Sequence, residues 1–305
     1  MTSMKARIRL RSRARSLRAR WRNRDRALPD FLILGTQKGG TVSLYQHLTS
    51  LPGVIGVEQR WKEVHYFASI PNPNNYPMLG PGWYRSHFPR RDALRAAGAI
   101  TGEATPRYMV EALAMSRIAR DLPDSRWIVV LRDPVERAHS HHTMQVRHGV
   151  ETSAFGDAID HELELIGRGV VIEGTTDVIG DDRDYIGGGR YSEQLRSIGA
   201  LRPDRPTLVL FSENLFAGHR PSFELLHRFL DLPAPEHTAF PHVNRSSSEE
   251  KGTIDPALRA VLESYFSDAD ADLSAQLNSD RFLTVDPEDW PDWTRRMNRI
   301  RRTAQ

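Results

Sequence analysis

Three sets of residues in this chain have the types and spacings that chemistry needs. Lys38 sits in GTQKGGT, where Gly35, Gly39 and Gly40 permit positive φ and close backbone approach to a ligand. Arg132 and Ser140 sit in LRDPVERAHS, a guanidinium able to make paired, charge-assisted bonds to phosphate and a hydroxyl that adds a further donor. Glu63 and His65 lie two apart in RWKEVHYFA, so an extended backbone would turn an acid and an imidazole to one side, with Lys62 beside them. Taken singly, the first and third sets have plainer readings: a strand-to-helix turn without a ligand, and a surface Lys-Glu beside a buried His. A further cluster, His139, His141 and His142, could place two imidazoles on one helix face. With no Cys and no H-E-x-x-H pattern in the chain it reads as helix surface or groove lining, and no metal site is expected.

The elements that must position these residues can be read around them. The apolar run from Phe31 to Leu34 passes directly into the glycine turn, and Leu44, His47 and Leu48 then recur at helical spacing, which predicts a strand, a loop and a helix. Unpaired N–H groups at the start of that helix, over Thr41, Val42 and Ser43, favour an anion together with the helix dipole, and Lys38 adds a full charge. The turn departs from the GxxxxGK-[ST] pattern of nucleotide triphosphatases, because two glycines separate Lys38 from Thr41 and no hydroxyl stands beside the lysine for Mg²⁺. Residues 127–131 read as a buried parallel strand with Arg132 at its carboxyl end, Asp133-Pro134 opening a helix and Ser140 two turns in.

Ligands of open α/β sheets gather at strand carboxyl ends. A short strand is expected after Leu51-Pro52-Gly53-Val54, another strand in RPTLVLF, and helices over 110–120, 154–166, GRYSEQLRSI, HRPSFELLHRFLDLP and 256–266. The fold class is α/β: one P-loop-like domain over residues 29–295, its central, mainly parallel sheet flanked by helices on both faces.

Charge is unevenly spread along the 305 residues. Eleven Lys and Arg and one Asp fall in residues 1–26, so the remainder, with 31 basic and 38 acidic residues, is net acidic although the whole chain is +3. Residues 1–28 therefore form a basic arm and 296–305 a small basic tail. Leu10, Ala14, Leu17 and Trp21 could lie along one helical face among the arginines, as an anionic membrane surface would require. A solvated disordered tail, nucleic-acid contact and an organelle presequence are the other readings of the arm. The absence of Cys excludes thiolate catalysis and disulfides, and there is no apolar run of membrane-spanning length or apolar signal core. The expected location is cytoplasmic, peripheral to a membrane if the arm binds one.

The motifs together resemble a known family. Strand-GxxKGGT-helix resembles the 5′-phosphosulfate loop of sulfotransferases that use 3′-phosphoadenosine 5′-phosphosulfate (PAPS). KEVHYF, GWYRSHFP (82–89) and GEATPRY (102–108) resemble ordered elements of the heparan-sulfate-type carbohydrate sulfotransferases and their bacterial relatives, and VLRDPVERAHS resembles their 3′-phosphate element. The likeness spans about residues 30–290. It implies sulfuryl transfer from PAPS to a hydroxyl, less readily an amine, of a glycan, glycolipid or small molecule, with no metal. It also implies residue roles: Glu63 as the base, with His65 and Glu103 the next candidates; Lys38, and Lys62 or His65, opposing developing negative charge; Arg132 and Ser140 on the 3′-phosphate. Lys38, Gly39, Gly40, Thr41, Val42 and Ser43 would cradle the 5′ end. Tyr191 in the G-x-Y helix, and Lys251-Gly252 in a loop over the nucleotide, complete the implied set.

Three positions depart from the heparan-type pattern: Val42 and Ala104 stand where a basic residue is usual, and Ala68 where an Asp is. A neutral or weakly charged acceptor is the resulting expectation, with Arg107 as a cation that could compensate. Two other classes compete: a P-loop kinase, which Mg²⁺ and ATP dependence would reveal, and a non-enzymatic module binding nucleic acid or membrane through the basic arm, which the net acidic body disfavours.

Overall fold

In strand β1 (Phe31–Gly35) successive side chains go to opposite faces, and both faces are buried. Phe31 and Ile33 enter one apolar cluster with Leu44 and Leu48 of helix α1 (Thr41–Ser50), whereas Leu32 and Leu34 enter a second, larger one. A strand apolar on both sides belongs in the middle of a sheet covered by helices, and that is where β1 lies. This computed structural model describes residues 23–57, 63–69, 76, 78–169, 184–241, 243 and 252–295. Lys62, Lys251, most of the basic arm and the basic tail fall outside the described residues.

β2 (Gly102–Ala104) follows two short helices, Gly80–Arg85 and Arg91–Ala97. After a 3₁₀ turn (Pro106–Val110) and α2 (Ala112–Asp121) comes β3 (Arg126–Leu131). Then follow α3 (Pro134–Arg147), α4 (Phe155–Gly167), α5 (Tyr191–Leu201), β4 (Thr207–Phe211), α6 (Arg220–Phe229), α7 (Pro256–Ala269) and β5 (Phe282–Leu283). The strand order is β2-β1-β3-β4-β5, and every pairing is parallel. The larger cluster joins the sheet to Met115 and Ile118 of α2, Ala138 of α3, Leu195 of α5 and Phe266 of α7; the other joins it to α1 and to Phe223 and Leu226 of α6. Helices thus cover both faces, as expected. No described helix is long and apolar enough to cross a membrane.

The predicted starts of α3 and α7 are capped as the sequence implies. Asp133 accepts from the N–H groups of Val135 and Glu136, and Asp255 from those of Ala257 and Leu258. The strand expected after Leu51 is reduced to a single bridge between Val54 and Ile100. The last residues of the basic arm lie against the domain: Asn23 donates to the Gly82 carbonyl and Ala27 to that of Pro89. From β1 the chain crosses to β2 on one side; from β3 it proceeds to β4 on the other. The carboxyl ends of β1 and β3 therefore flank a topological switch point, where α/β sheets open a crevice.

Candidate functional site

At the end of β1 the backbone turns tightly. Lys38 and Gly40 both adopt positive φ, 68° and 94°, and Gly40 caps α1 with no side-chain bond and no acid in the first turn. A Cβ on Gly39 would stand 2.7 Å from the Val130 carbonyl oxygen, so only glycine lets this loop lie against β3. Thr41 and Ser43 are buried, and Val42 and Lys38 are partly exposed. The helix start thus keeps its N–H groups for an anion beside a lysine, with nothing negative in its own first turn. Ser43 Oγ accepts from the N–H of Val243, which brings that residue to the head of α1. Gly252 is exposed, with φ of 58° and open space around its α-carbon.

Arg132, one residue beyond β3, donates from Nη1 to the Lys38 carbonyl at 3.0 Å. That bond ties the loop after β1 to the end of β3 across adjacent strand ends. The Arg132 carbonyl accepts from the Tyr191 hydroxyl at 2.8 Å, and burial pushes that phenol well above its ordinary range. Tyr191 is fully buried, so it holds Arg132 from behind. Ser140 lies on the buried side of α3, with 6% of its surface exposed.

Residues 63–69 do not form the extended segment expected from alternation. His65 has φ of 51°, in the left-handed region, and its Nε2 turns back to 3.0 Å from Glu63 Oε2. The acid and the imidazole meet through this turn. Both stay accessible, at 33% and 26% exposure. The cause lies on β2: Glu103 Oε2 accepts from the Val64 N–H at 3.2 Å, and Thr105 Oγ1 from the His65 N–H at 3.4 Å, in place of a strand ladder. Glu103 also accepts from the hydroxyls of Tyr84, Thr105 and Tyr108, at 2.6, 2.7 and 3.2 Å. It has no exposed surface, and burial raises its carboxyl above the ordinary range. A carboxyl that no acceptor oxygen can touch is not a base for it, which removes Glu103 as an alternative to Glu63.

Three groups that sequence reasoning missed hold the backbone near these strand ends. Arg137 of α3 is 1% exposed and donates to the carbonyls of Asp184 and Tyr185. Glu162 of α4 accepts from the N–H groups of Tyr185, Ile186 and Gly187. Between them they fix the turn at Gly187–Gly189, whose Gly188 carbonyl accepts from the Thr36 hydroxyl at 3.4 Å. The third is Glu213, which accepts from the Asp133 N–H at 2.9 Å next to Arg132; burial raises it. Its only signal was the SENL turn after β4. Among the described residues no cluster could hold a metal ion. His139, His141 and His142 are buried and do not lie on the helix surface: His139 and His142 pack on Phe155, and His142 Nε2 lies 3.0 Å from the Ser153 carbonyl.

The sulfotransferase domain family profile matches residues 28–254, three quarters of the chain. The chain belongs to the sulfotransferase domain family. Its relatives include the membrane-associated sulfotransferase kil1 of Dictyostelium discoideum, 34% identical over 120 residues, 39% of this chain and 24% of that protein. Human heparan sulfate glucosamine 3-O-sulfotransferase 3B1 is 39% identical over 119 residues, 39% of this chain and 27% of the other. This chain spans about a quarter of the length of these curated relatives. A crystal structure of a sulfotransferase from Alicyclobacillus acidocaldarius, 24% identical, superposes with a TM-score of 0.59 over 83% of this chain and 97% of its own, and so shares the fold.

Proposed function

We propose that this sulfotransferase-family protein transfers the sulfuryl group of PAPS to a hydroxyl of a glycan or glycolipid, with Glu63 as general base. The observation that carries the reading is the convergence of three adjacent parallel strand ends. β1 leads into the loop around Lys38, β3 into Arg132, and β2 carries Glu103 and leads into Thr105, which hold the backbone of Val64 and His65 beside Glu63. Neighbouring strands lie about 4.8 Å apart, so these three ends serve one ligand pair rather than three separate ones.

The residues fit the nucleotide. The uncapped start of α1 and Lys38 suit the 5′-phosphosulfate, and Arg132 the 3′-phosphate, with Ser140 on the same strand-helix unit. In the reaction the acceptor oxygen bonds to sulfur, the bond from sulfur to the 5′-phosphate oxygen breaks, and the acceptor proton passes to Glu63. 3′,5′-Bisphosphoadenosine (PAP) leaves. Lys38 and the α1 N–H groups stabilise charge gathering on the leaving phosphate. His65, at hydrogen-bond distance from Glu63, orients the carboxylate.

Acceptor preference follows from which cations face the cleft. Ala104 and Ala68 are buried, and Arg107, 13% exposed, is paired at 2.8 Å with the buried Glu111. Its charge is already matched, which supports a neutral or weakly charged acceptor over a polyanion. The test is transfer of labelled sulfate from PAPS into neutral and anionic oligosaccharides, with ATP and Mg²⁺ in parallel. Sulfation of neutral sugars is expected; phosphate transfer from ATP would replace the reading, and efficient sulfation of heparan-like chains alone would reverse the acceptor preference.

A further inference from the structure

The conformation that brings His65 onto Glu63 is costly where it stands. A non-glycine residue with φ of 51° sits in a sparsely populated region, and such a residue persists only where its surroundings over-determine it. Here the surroundings are two side chains from a different part of the chain. Glu103 Oε2 takes the Val64 N–H, Thr105 Oγ1 takes the His65 N–H, and the Thr105 hydroxyl in turn donates to Glu103 at 2.7 Å. Tyr84 and Tyr108 fill the other carboxyl oxygen, so Glu103 cannot swing away. The segment is tied through the backbone of the residue between Glu63 and His65 and through that of His65 itself.

We infer that Glu103 and Thr105 are positioning residues, which set the backbone of residues 64 and 65 so that the His65 imidazole meets Glu63 at the mouth of the site. The inference rests on Glu63 being the base as far as turnover is concerned, but the geometry it claims exists without turnover. Thr105 is the cleaner handle: Val keeps its shape and removes the hydroxyl, and Ser restores the hydroxyl. Loss of the Thr105 hydroxyl releases the His65 N–H and one of the bonds that orient Glu103.

Two readouts separate positioning from general stability. In steady-state kinetics with PAPS and an accepted sugar, Thr105→Val is expected to lower kcat about tenfold with PAP affinity by calorimetry unchanged, while Thr105→Ser stays near wild type. In a His65→Ala background Thr105→Val should cost no further turnover, because its effect passes through His65. Independently of activity, the ¹⁵N resonances of the His65 ring should move when Glu63→Gln is introduced into the wild-type chain, and stay put when it is introduced into Thr105→Val.

Full additivity of Thr105→Val with His65→Ala, or an equal response of the ring resonances in both backgrounds, overturns the inference. If Thr105→Val does not fold, Thr105→Ala is compared with Thr105→Ser under the same readouts. Should the wild-type protein show no sulfuryl transfer while the ring resonances respond as described, the proposed function falls and the positioning role stands.

Discussion

The proposed donor side and the proposed acceptor side of the site lie on neighbouring strand ends and are built by different means. Around Lys38 and Arg132 the backbone of regular elements does the work: a strand, a glycine turn, a helix start, and one bond from Arg132 to the Lys38 carbonyl. Around Glu63 the described residues 63–69 join no ladder or helix. The segment hangs from the side chains of Glu103, in a strand of three residues, and of Thr105 just beyond it. Affinity for the nucleotide should therefore tolerate damage to the acceptor side, whereas turnover should depend on both.

Lys38→Ala should have the largest effect, because in the proposed reaction its charge acts on the phosphosulfate in the ground state and in the transition state. Nucleotide affinity and kcat should fall together, with kcat/KM down by about 10³ or more. Undiminished PAP binding by calorimetry would move the 5′ site away from this loop. Next in size is the stability cost of Glu103→Ala. Removing the carboxyl orphans three buried hydroxyls and the Val64 N–H, and urea unfolding should show a loss of about 3 kcal/mol or more. A loss below about 1 kcal/mol would mean that water or neighbours replace those bonds. Discrimination by Arg132 comes third: PAPS should bind about ten- to a hundredfold tighter than the adenylyl sulfate that lacks the 3′-phosphate, and Arg132→Ala should erase the difference.

How far the two sides were legible in the sequence follows the same division. The donor side is local: an apolar run, glycines and a lysine within a dozen residues predict their own geometry, and Asp133-Pro134 marks the helix that carries Ser140. The acceptor side is not. Nothing near His65 announces a left-handed residue, because its cause sits some forty residues away at Glu103 and Thr105. Arg137 was passed over for a similar reason. In VERAHS it looks like a solvent-facing helical arginine, yet Gly188 lies flat against its guanidinium, 2.8 Å from where a Cβ would be, and encloses it. Only the three glycines at 187–189 hinted at so close an approach.

The turn held by Arg137 and Glu162 yields the last expected effect, a pH dependence of stability. Burial, with Asp184 close by, pushes Glu162 up to about 8 from an ordinary 4.5. The folded protein then keeps a proton that the unfolded chain releases, so this contribution to stability is full below about pH 4.5 and is lost as pH rises through about 8. Melting temperature should drop between pH 6 and pH 9, and Glu162→Gln should flatten part of that drop. An identical slope in the variant would show that the carboxyl is ionised in the folded state.

The central claim is tested most directly at Glu63, where the two sides should come apart. Glu63→Gln keeps the size of the side chain and removes its basicity. Turnover of PAPS with an accepted sugar is predicted to fall by about 10²–10⁴ while PAP affinity, measured on the same preparation by calorimetry, stays within a few fold. Near-normal turnover in a folded, PAP-binding Glu63→Gln protein would contradict the account and place the base elsewhere.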